Sequence, residues 1–161
     1  GSHFISAMPT NLYGIGDNYH PQNSHVLPGL LRRFHEAKEQ GKDEVIIWGT
    51  GTPLREFMFA DDLGRASLFL MLHYDKPEIV NVGTGEEISI LDADTVGFKG
   101  RIGFDKSKPD GTPRKILDLN RLHTLGYRHE TSLKEGIKIT YQDFLRNVSA
   151  GAKDAGVANL K

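Results

Sequence analysis

The sequence predicts a single mixed α/β domain. Its 161 residues, of which 38% are hydrophobic, are enough for one core and too few for two comfortable ones. Short apolar runs that end in glycine-rich loops alternate with longer segments whose apolar residues recur every three or four positions, the pattern of strands followed by helices. Eighteen glycines and seven prolines supply the turns that this alternation needs.

Composition and charge argue against several classes of protein. The balance of 20 Lys and Arg against 21 Asp and Glu leaves no positive surplus for nonspecific nucleic-acid binding. Cysteine is absent, which excludes a disulfide framework and a thiolate nucleophile in this chain. No apolar run approaches the roughly 20 residues of a membrane span, and no signal peptide is visible. We therefore expect a soluble, cytoplasmic protein with neither a membrane nor a nucleic acid as partner.

In the first half of the chain, strands alternate with two helices. Residues 4–8 are predicted to form a buried strand, and residues 23–40 a helix that Asn23 or Ser24 caps and Gly41 ends. Residues 45–48 predict a strand, and Asp61 or Asp62 is expected to cap a second helix. The apolar positions that indicate the two helices are Leu27, Leu30, Leu31, Phe34, Ala66, Leu68, Phe69 and Leu72.

The second half predicts shorter elements. Strands are expected at residues 79–82 and 101–105, a loop at 106–115, and a last helix that opens at Ser132 with capping-box spacing to Glu135. This helix carries the apolar residues Ile137, Ile139, Tyr141, Phe144 and Leu145. Residues 92–95, after a strand that turns into a helix, amount to about one turn, too short for a stable helix. A tight loop, or residues missing from the sequence, is expected there.

Familiar nucleotide-binding and metal-binding motifs are absent. The pairs Gly14/Gly16, Gly49/Gly51 and Gly83/Gly85 each lack the third glycine of G-x-G-x-x-G, and no phosphate-binding G-x-x-x-x-G-K-[ST] occurs. No tyrosine is followed four residues later by lysine. The histidines lack zinc-site spacing and no acidic cluster indicates calcium, so we expect no metal.

Three groups of residues could carry chemistry. Thr10 and Asn11 follow an apolar strand at the end where α/β proteins bind ligands, and His25 lies near a helix start, whose dipole favours a neutral imidazole. Trp48 with Arg55 could hold a planar base and its phosphates, although a lone Trp is more often a core residue. Residues 107–115 could offer cations to a pyrophosphate and a carboxylate to ribose, or form a solvated basic turn.

Taken together, these segments resemble GDP-L-fucose synthases, a family of extended short-chain dehydrogenases. The Arg-Glu-Phe of residues 55–57 and the Asn-Val-Gly-Thr-Gly of residues 81–85 are common to extended short-chain dehydrogenases. The Asn-Ser-His of residues 23–25 and the Lys-Pro-Asp-Gly-Thr-Pro-Arg-Lys of residues 108–115 are more particular to this family. The other matching segments, in chain order, are residues 8–14, 17–18, 31–37, 48–51 and 61–62.

The resemblance implies that this chain is the C-terminal, substrate-binding part of such an enzyme. Residues 1–22 would be the end of the Rossmann domain, with its late strand and loop, residues 23–148 a small mixed α/β substrate-binding domain, and residues 149–161 a flexible tail. The family's glycine fingerprint, catalytic cysteine and Tyr-x-x-x-Lys pair are not in this chain, so the chain alone is expected to be inactive. The intact protein is expected to be a homodimer.

The resemblance also implies a reaction, in which NADPH and GDP-4-keto-6-deoxy-D-mannose give GDP-L-fucose. The C4 ketone acidifies the protons at C3 and C5, a base and an acid invert both centres, and hydride then reduces C4. His25 would be the catalytic partner of the family's cysteine. The implied cofactor-binding residues are Pro9, Thr10, Asn11, Leu12 and His25. The implied substrate-binding residues are Arg33, Trp48, Arg55, Asp110 and Lys115.

Two other functions stay open. The protein could be another nucleotide-sugar epimerase or dehydratase, a reading that residues 107–115 argue against and that comparing GDP-sugar with UDP-sugar binding would decide. It could instead be a catalytically inert nucleotide-sugar-binding module, which the length of the intact polypeptide would decide.

Overall fold

A computed structural model, which describes residues 3–89 and 97–149, confirms the mixed α/β architecture. Strands and helices alternate along the first half, and short strands and two helices follow in the second. The strands are β1 (Ala7–Pro9), β2 (Asn11–Tyr13), β3 (Glu44–Trp48), β4 (Leu54–Arg55), β5 (Phe57–Phe59), β6 (Val80–Val82), β7 (Ile88–Ser89), β8 (Arg101–Asp105) and β9 (Arg114–Lys115). The helices are α1 (Val26–Glu39), α2 (Ala60–His73), α3 (Asn120–Thr124) and α4 (Leu133–Phe144), followed by a π-helical turn, Leu145–Ser149.

The strands pair mainly in parallel, and each pair joins segments that are distant in the sequence. Three two-stranded sheets are parallel pairs: β1 with β6, β2 with β5, and β3 with β8. A fourth, three-stranded sheet places β4 between antiparallel β7 and parallel β9. Since β2 and β5 end side by side, the polar residues around Asn11 meet those before Phe57 at one place in the fold.

Two hydrophobic cores lie on either side of these strands. The first is built mainly from α1, β3 and α4, and includes Leu27, Leu31, Phe34 and Ile137. The second is built from β5, α2 and β6, and includes Met58 and Leu70. Tyr13 and Tyr19 belong to the first core, so they share it with α1; the division predicted at residues 22 and 23 stays a prediction. No helix in the described part of the chain is both long and apolar enough to cross a bilayer.

The helix predicted over residues 23–40 is α1, but its predicted cap is wrong. The N-cap is His25, and its side chain makes no capping hydrogen bond. Asn23 is instead bound to the Asn18 side chain, and the Ser24 amide donates to the His20 carbonyl, so both predicted caps belong to the loop before the helix. Gly41 follows the helix with a φ of 60°, as expected of a glycine that ends one.

The predicted capping of α2 is also wrong. Its N-cap is Phe59, and Asp61 and Asp62 lie inside the first turn. The Asp62 side chain is fully buried because it binds the segment before α4 rather than its own helix end. Of the apolar positions on this helix, Ala66 is buried, but Leu68 and Leu72 are exposed, because they lie on the outer face of α2.

The strand predicted over residues 4–8 begins later and is not buried. β1 starts at Ala7 and all three of its residues are exposed, and Phe4, ahead of it, is 84% exposed. Within the described residues β1 pairs only with β6, so its side chains have few neighbours. The apolar run therefore predicts a strand correctly, but the prediction that this strand is buried is wrong.

The other predicted elements are present with small changes. β3, β6 and β8 match the predicted strands, and α4 opens at Ser132, whose side chain accepts a hydrogen bond from the Glu135 amide at 3.3 Å. The predicted loop over residues 106–115 ends two residues early because β9 pairs with β4. The short junction at residues 92–95 and most of the predicted tail, residues 150–161, lie outside the described residues.

Glu56, fully buried between β4 and β5, ties three segments together. Its carboxylate accepts hydrogen bonds from the amides of Thr84 at 2.6 Å, Gly85 at 2.9 Å and Leu117 at 3.0 Å. The carboxylate lies so close to Gly83 that a Cβ there would be 2.0 Å from Oε1, which explains the glycine. Because these hydrogen bonds fix Glu56, they also restrict the main chain of the adjacent Arg55.

Candidate functional site

One cavity of about 710 Å³ collects most of the residues that the sequence singled out. Its walls come from four segments that are far apart in the chain: the end of β2 with the loop after it, the start of α1, the loop between β3 and β5, and the loop before β9. This volume is typical of pockets that bind small ligands. The predicted residues among those that line it are Thr10, Asn11, Leu12, His25, Trp48, Arg55 and Asp110.

The loop that precedes α1 is held by contacts between its own residues and by contacts with α4. Asn18 Nδ2 donates to the Asn23 carbonyl at 3.2 Å and lies 3.1 Å from Asn23 Oδ1. The Gly16 amide donates to the buried carboxylate of Asp143 on α4 at 2.9 Å. The phenol of buried Tyr19 donates to the Thr140 carbonyl at 3.1 Å. These contacts hold the backbone of the loop that carries Asp17 and precedes His25.

Asp17 and His25 both line the cavity from the two ends of this loop. Asp17 Oδ1 accepts a hydrogen bond from the Asn18 amide at 2.7 Å. Asp17 Oδ2 is buried and has no hydrogen-bond partner among the residues that the structure describes. Burial raises the pKa of Asp17, an effect that the Asn18 and Gly14 amides and the nearby His25 partly oppose. Asp17 lies in a segment that resembles the family, but the sequence predicts no role for it.

Trp48 ends β3 with its indole 60% exposed at the cavity, so it is not a core residue. The Arg33 guanidinium lies 5.5 Å from the centre of the indole ring and the Lys108 ammonium 5.6 Å from it. Arg33 is on α1 and Lys108 is in the loop before β9, so two segments bring a cation to one aromatic ring. An exposed indole flanked by cations suits a flat, anionic ligand.

Arg55 lines the cavity from β4, and its Nη1 donates to the Leu54 carbonyl at 2.8 Å. Lys115 is the residue opposite Arg55 in the β4–β9 pair, but it is not among the cavity-lining residues. Pro9, in β1, does not line the cavity either, since its backbone is opposite Val82. The structure thus brings eight of the ten predicted site residues to the cavity or its tryptophan and leaves Pro9 and Lys115 outside.

Asp110 lines the cavity while it joins two loops. Its Oδ1 accepts from the Thr50 amide at 2.8 Å and its Oδ2 from the Thr50 hydroxyl at 2.7 Å. These hydrogen bonds lower the pKa of Asp110. Gly49 makes the approach possible, because its φ is 82° and a Cβ there would lie 2.2 Å from Asp110 Oδ1. Asp110 therefore holds the Lys108 loop against the loop that follows Trp48.

Thr10 and Asn11 face the cavity with their polar groups already engaged. The Thr10 hydroxyl donates to the Glu56 carbonyl at 3.1 Å, and Asn11 Nδ2 donates to the same oxygen at 2.8 Å. Both residues therefore brace β2 against the segment that carries Arg55. Leu12 adds an apolar contribution to the same wall.

Lys108, Thr50 and Asp17 are the residues that sequence reasoning left without a role. Lys108 and Thr50 belong to segments that the sequence analysis names, but the sequence does not reveal the contacts that these two side chains make. The one available signal for Asp17 was its place in a glycine-containing loop between a strand end and His25. Over the described ranges 3–89 and 97–149, no group of three or more His, Asp or Glu side chains could hold a metal ion.

Known proteins resemble this chain over most of its length. The model of the NAD dependent epimerase/dehydratase family matches residues 1–83. GDP-L-fucose synthase 1 of Arabidopsis thaliana is 54% identical over 149 residues, which cover 89% of this chain and 46% of the relative. GDP-L-fucose synthase of Escherichia coli K12 is 52% identical over 161 residues, which cover 91% of this chain and 50% of that protein.

A solved structure has the same fold. The crystal structure of a GDP-L-fucose synthetase from Naegleria fowleri bound to NADP superposes with a TM-score of 0.84 at 34% identity, and the match covers 93% of this chain and 49% of that one. The chain thus spans about half the length of the curated relatives that it matches.

Proposed function

The chain belongs to the NAD dependent epimerase/dehydratase family, and on that premise we propose that it is the substrate-binding part of a GDP-L-fucose synthase. The intact protein would convert GDP-4-keto-6-deoxy-D-mannose into GDP-L-fucose by epimerisation at C3 and C5 and NADPH-dependent reduction at C4. The high identity to proteins of that name in a plant and a bacterium supports this choice within the family. We also propose that the intact protein is a cytoplasmic homodimer, as the resemblance implies.

The observation that carries the proposal is the make-up of the cavity. His25, a residue suited to acid/base chemistry near neutral pH, lines the same cavity as Arg55 and Trp48, which suit a nucleoside diphosphate. A nucleotide sugar has both parts: a flat base with two phosphates, and a sugar whose carbon centres react. A cavity for a free sugar would not need the cations, and one for a free nucleotide would not need the imidazole.

The ketone at C4 makes the inversions possible. It lets the electron pair left at C3 or C5 delocalise into an enolate when a proton is removed, and a proton returned to the opposite face inverts the centre. His25 would give or take one of these protons at its imidazole nitrogen. The chain has no cysteine, so the second acid/base group is not a cysteine of these 161 residues. Protons are conserved, since one leaves and one returns at each carbon.

The cavity wall at Thr10, Asn11 and Leu12 fits a nicotinamide. Leu12 offers an apolar surface for the flat ring, and the contacts of Thr10 and Asn11 with the Glu56 carbonyl keep this wall rigid. NADPH, when bound, supplies the hydride that reduces C4. The role that this chain would have in that step is to hold the ketone in position and to exclude water around it.

The GDP end would lie against Trp48 and the cations around it. The indole could stack on the base, while Arg55 and the pair Arg33 and Lys108 neutralise the phosphates. Asp110 was expected to accept hydrogen bonds from ribose or base, yet both of its oxygens already bind Thr50. We propose instead that it shapes this end by holding the Lys108 loop in place.

The test is an assay of the intact protein with GDP-4-keto-6-deoxy-D-mannose and NADPH, with the products identified by NMR. We expect GDP-L-fucose from the unchanged protein. We expect His25→Gln to slow epimerisation by on the order of 10² to 10⁴ and to give an unepimerised 6-deoxyhexose or very slow turnover.

A matched control is His73→Gln. His73 is an exposed histidine at the end of α2, where its ring contacts Phe69 and not the cavity. Normal GDP-L-fucose formation by His25→Gln, or an equal loss in both variants, would contradict the role of His25. Turnover of a UDP-linked sugar in preference to the GDP-linked one would contradict the proposed substrate.

A further inference from the structure

The loop before α1 presents a second ionisable group to the cavity beside His25. Asp17 and His25 stand at opposite ends of a loop that the Asn18–Asn23 contacts close, and both line the cavity. Asp17 Oδ1 is occupied by the Asn18 amide, whereas Oδ2 is buried and has no partner in the described part of the chain. Buried carboxylate oxygens are normally hydrogen-bonded, so this oxygen needs an explanation.

We propose that Asp17 is the positioning residue of His25: its carboxylate accepts a hydrogen bond from an imidazole N–H when substrate is bound. This inference rests on the proposed function, because His25 has a proton to move only if the cavity binds a 4-keto sugar. Catalytic hydrogen bonds are often absent or long without ligand and tighten in the complex. The His25 side chain makes no capping hydrogen bond to α1, which leaves its ring available for this contact.

A carboxylate at this place would do two things for the imidazole. By accepting from one ring nitrogen it would fix which nitrogen is left to exchange a proton with the sugar, since a neutral imidazole has one donor and one acceptor. Its negative charge would also stabilise the ring while that ring carries an extra proton. Both groups line the same cavity, and the charge of His25 lowers the pKa of Asp17.

A purely structural role fits Asp17 less well. The carboxylate that anchors this loop to the rest of the fold is Asp143, which accepts from the Gly16 amide and from Asn147. The Asp17 carboxylate interacts only with amides of its own loop among the described residues, those of Asn18 and Gly14, and burial nevertheless raises its pKa. A group that gains so little from the folded state, and that faces the cavity, is typical of a functional site.

The experiment measures deuterium uptake at C3 and C5 of GDP-4-keto-6-deoxy-D-mannose in D₂O, with the intact protein and without NADPH. We expect Asp17→Asn to slow uptake about tenfold or more, the effect of losing one charge-assisted hydrogen bond. In a His25→Gln background the same substitution should have no further effect, because Asp17 acts through His25.

Asp143→Asn is the matched control, since it disturbs the same loop without reaching the cavity. Any decrease in the rate of deuterium uptake that Asp143→Asn causes should be the same factor in the protein with His25 and in the His25→Gln variant. If Asp17→Asn fails to fold by circular dichroism, Asp17→Ser, which keeps an oxygen for the Asn18 amide, takes its place.

The outcomes separate the two proposals. No deuterium uptake by the unchanged protein would contradict the proposed function. Normal uptake by Asp17→Asn, or the same loss with and without His25, would contradict the role of Asp17 while the proposed function stands.

Discussion

Two regions of the molecule bury carboxylates in opposite ways. Around β5 and α2, Glu56 accepts three backbone amides, and Asp62 accepts the amides of Thr131 at 3.0 Å and Glu130 at 3.4 Å and an Arg65 guanidinium at 2.8 Å. At the cavity, Asp17 Oδ1 accepts from the Asn18 amide, and Oδ2 has no hydrogen-bond partner among the described residues. Asp62 has its pKa lowered, since its hydrogen bonds outweigh the effect of burial, whereas burial raises the pKa of Asp17.

This difference in hydrogen bonding separates carboxylates that stabilise the fold from a carboxylate that can still bind a ligand or another side chain. A buried carboxylate with all its partners stabilises the segments that donate to it. One that lacks a partner costs stability, and such a cost is common where a ligand completes the site. Substitutions in the first region should therefore change stability, and those at the cavity should change function.

The largest effect is expected from Glu56→Ala. It removes the acceptor of three amides in one buried place, and we expect the free energy of unfolding of the intact protein to fall by about 3 kcal/mol or more. Urea denaturation followed by circular dichroism measures it. Glu87→Ala is the control, because Glu87 bonds to an exposed Arg114 side chain and such pairs contribute at most about 1 kcal/mol. Equal losses would remove the distinction between a carboxylate held by buried backbone amides and one held by an exposed arginine.

Asp62→Asn should have the next largest effect, about 2 kcal/mol, because a neutral amide accepts more weakly and its NH₂ faces donors. The pKa of Asp62 is lowered by folding, so its contribution is present above the unfolded pKa of about 3.9 and is lost as pH falls through the folded value. The variant should therefore lose less stability than the unchanged protein between pH 5 and the acid limit. Unfolding free energies measured across this pH range check the sign.

Arg55→Ala should change binding and leave stability almost unaltered. Its side chain lines the cavity and makes one hydrogen bond, to the adjacent Leu54 carbonyl. Loss of a charge-assisted contact to a phosphate should weaken GDP binding about tenfold, or about 1.4 kcal/mol. Calorimetry with GDP on the intact protein measures it. Lys38→Ala, an exposed position near the end of α1, should bind GDP normally; equal losses would indicate a diffuse field rather than a site.

The smallest effect is expected from Asp17→Asn on stability, and its sign is opposite. The pKa of Asp17 is raised by folding, so ionisation destabilises the protein increasingly as pH rises from the unfolded pKa of about 3.9 through the folded value. At pH 7 the variant should be more stable, on the order of 0.5 kcal/mol, and the gain should vanish at low pH. A loss of stability at pH 7 would mean that Asp17 stabilises the fold, as Glu56 and Asp62 do.

The sequence predicted local structure well wherever periodicity decides it. Leu27, Leu31 and Phe34 recur at helical spacing and are buried on α1, and the apolar run before Trp48 is β3. Helix caps were less predictable: Asn23 and Ser24 have the right chemistry for a cap but are engaged in the loop, and Asp62 binds a segment almost 70 residues away. Capping is a competition between local and distant partners, and only the local ones are visible in the sequence.

Burial and the site itself depended on tertiary contacts. By itself the sequence determined the α/β class, the order of most elements and eight residues of the cavity or its tryptophan, because residue type and spacing carry that information. It could not show that Leu68 and Leu72 stay exposed or that Asp110 is engaged by Thr50. Nor could it show that a buried oxygen of Asp17 has no partner among the described residues. Each of these depends on which distant segments meet, and parallel strand pairing joins segments that the linear sequence separates by dozens of residues.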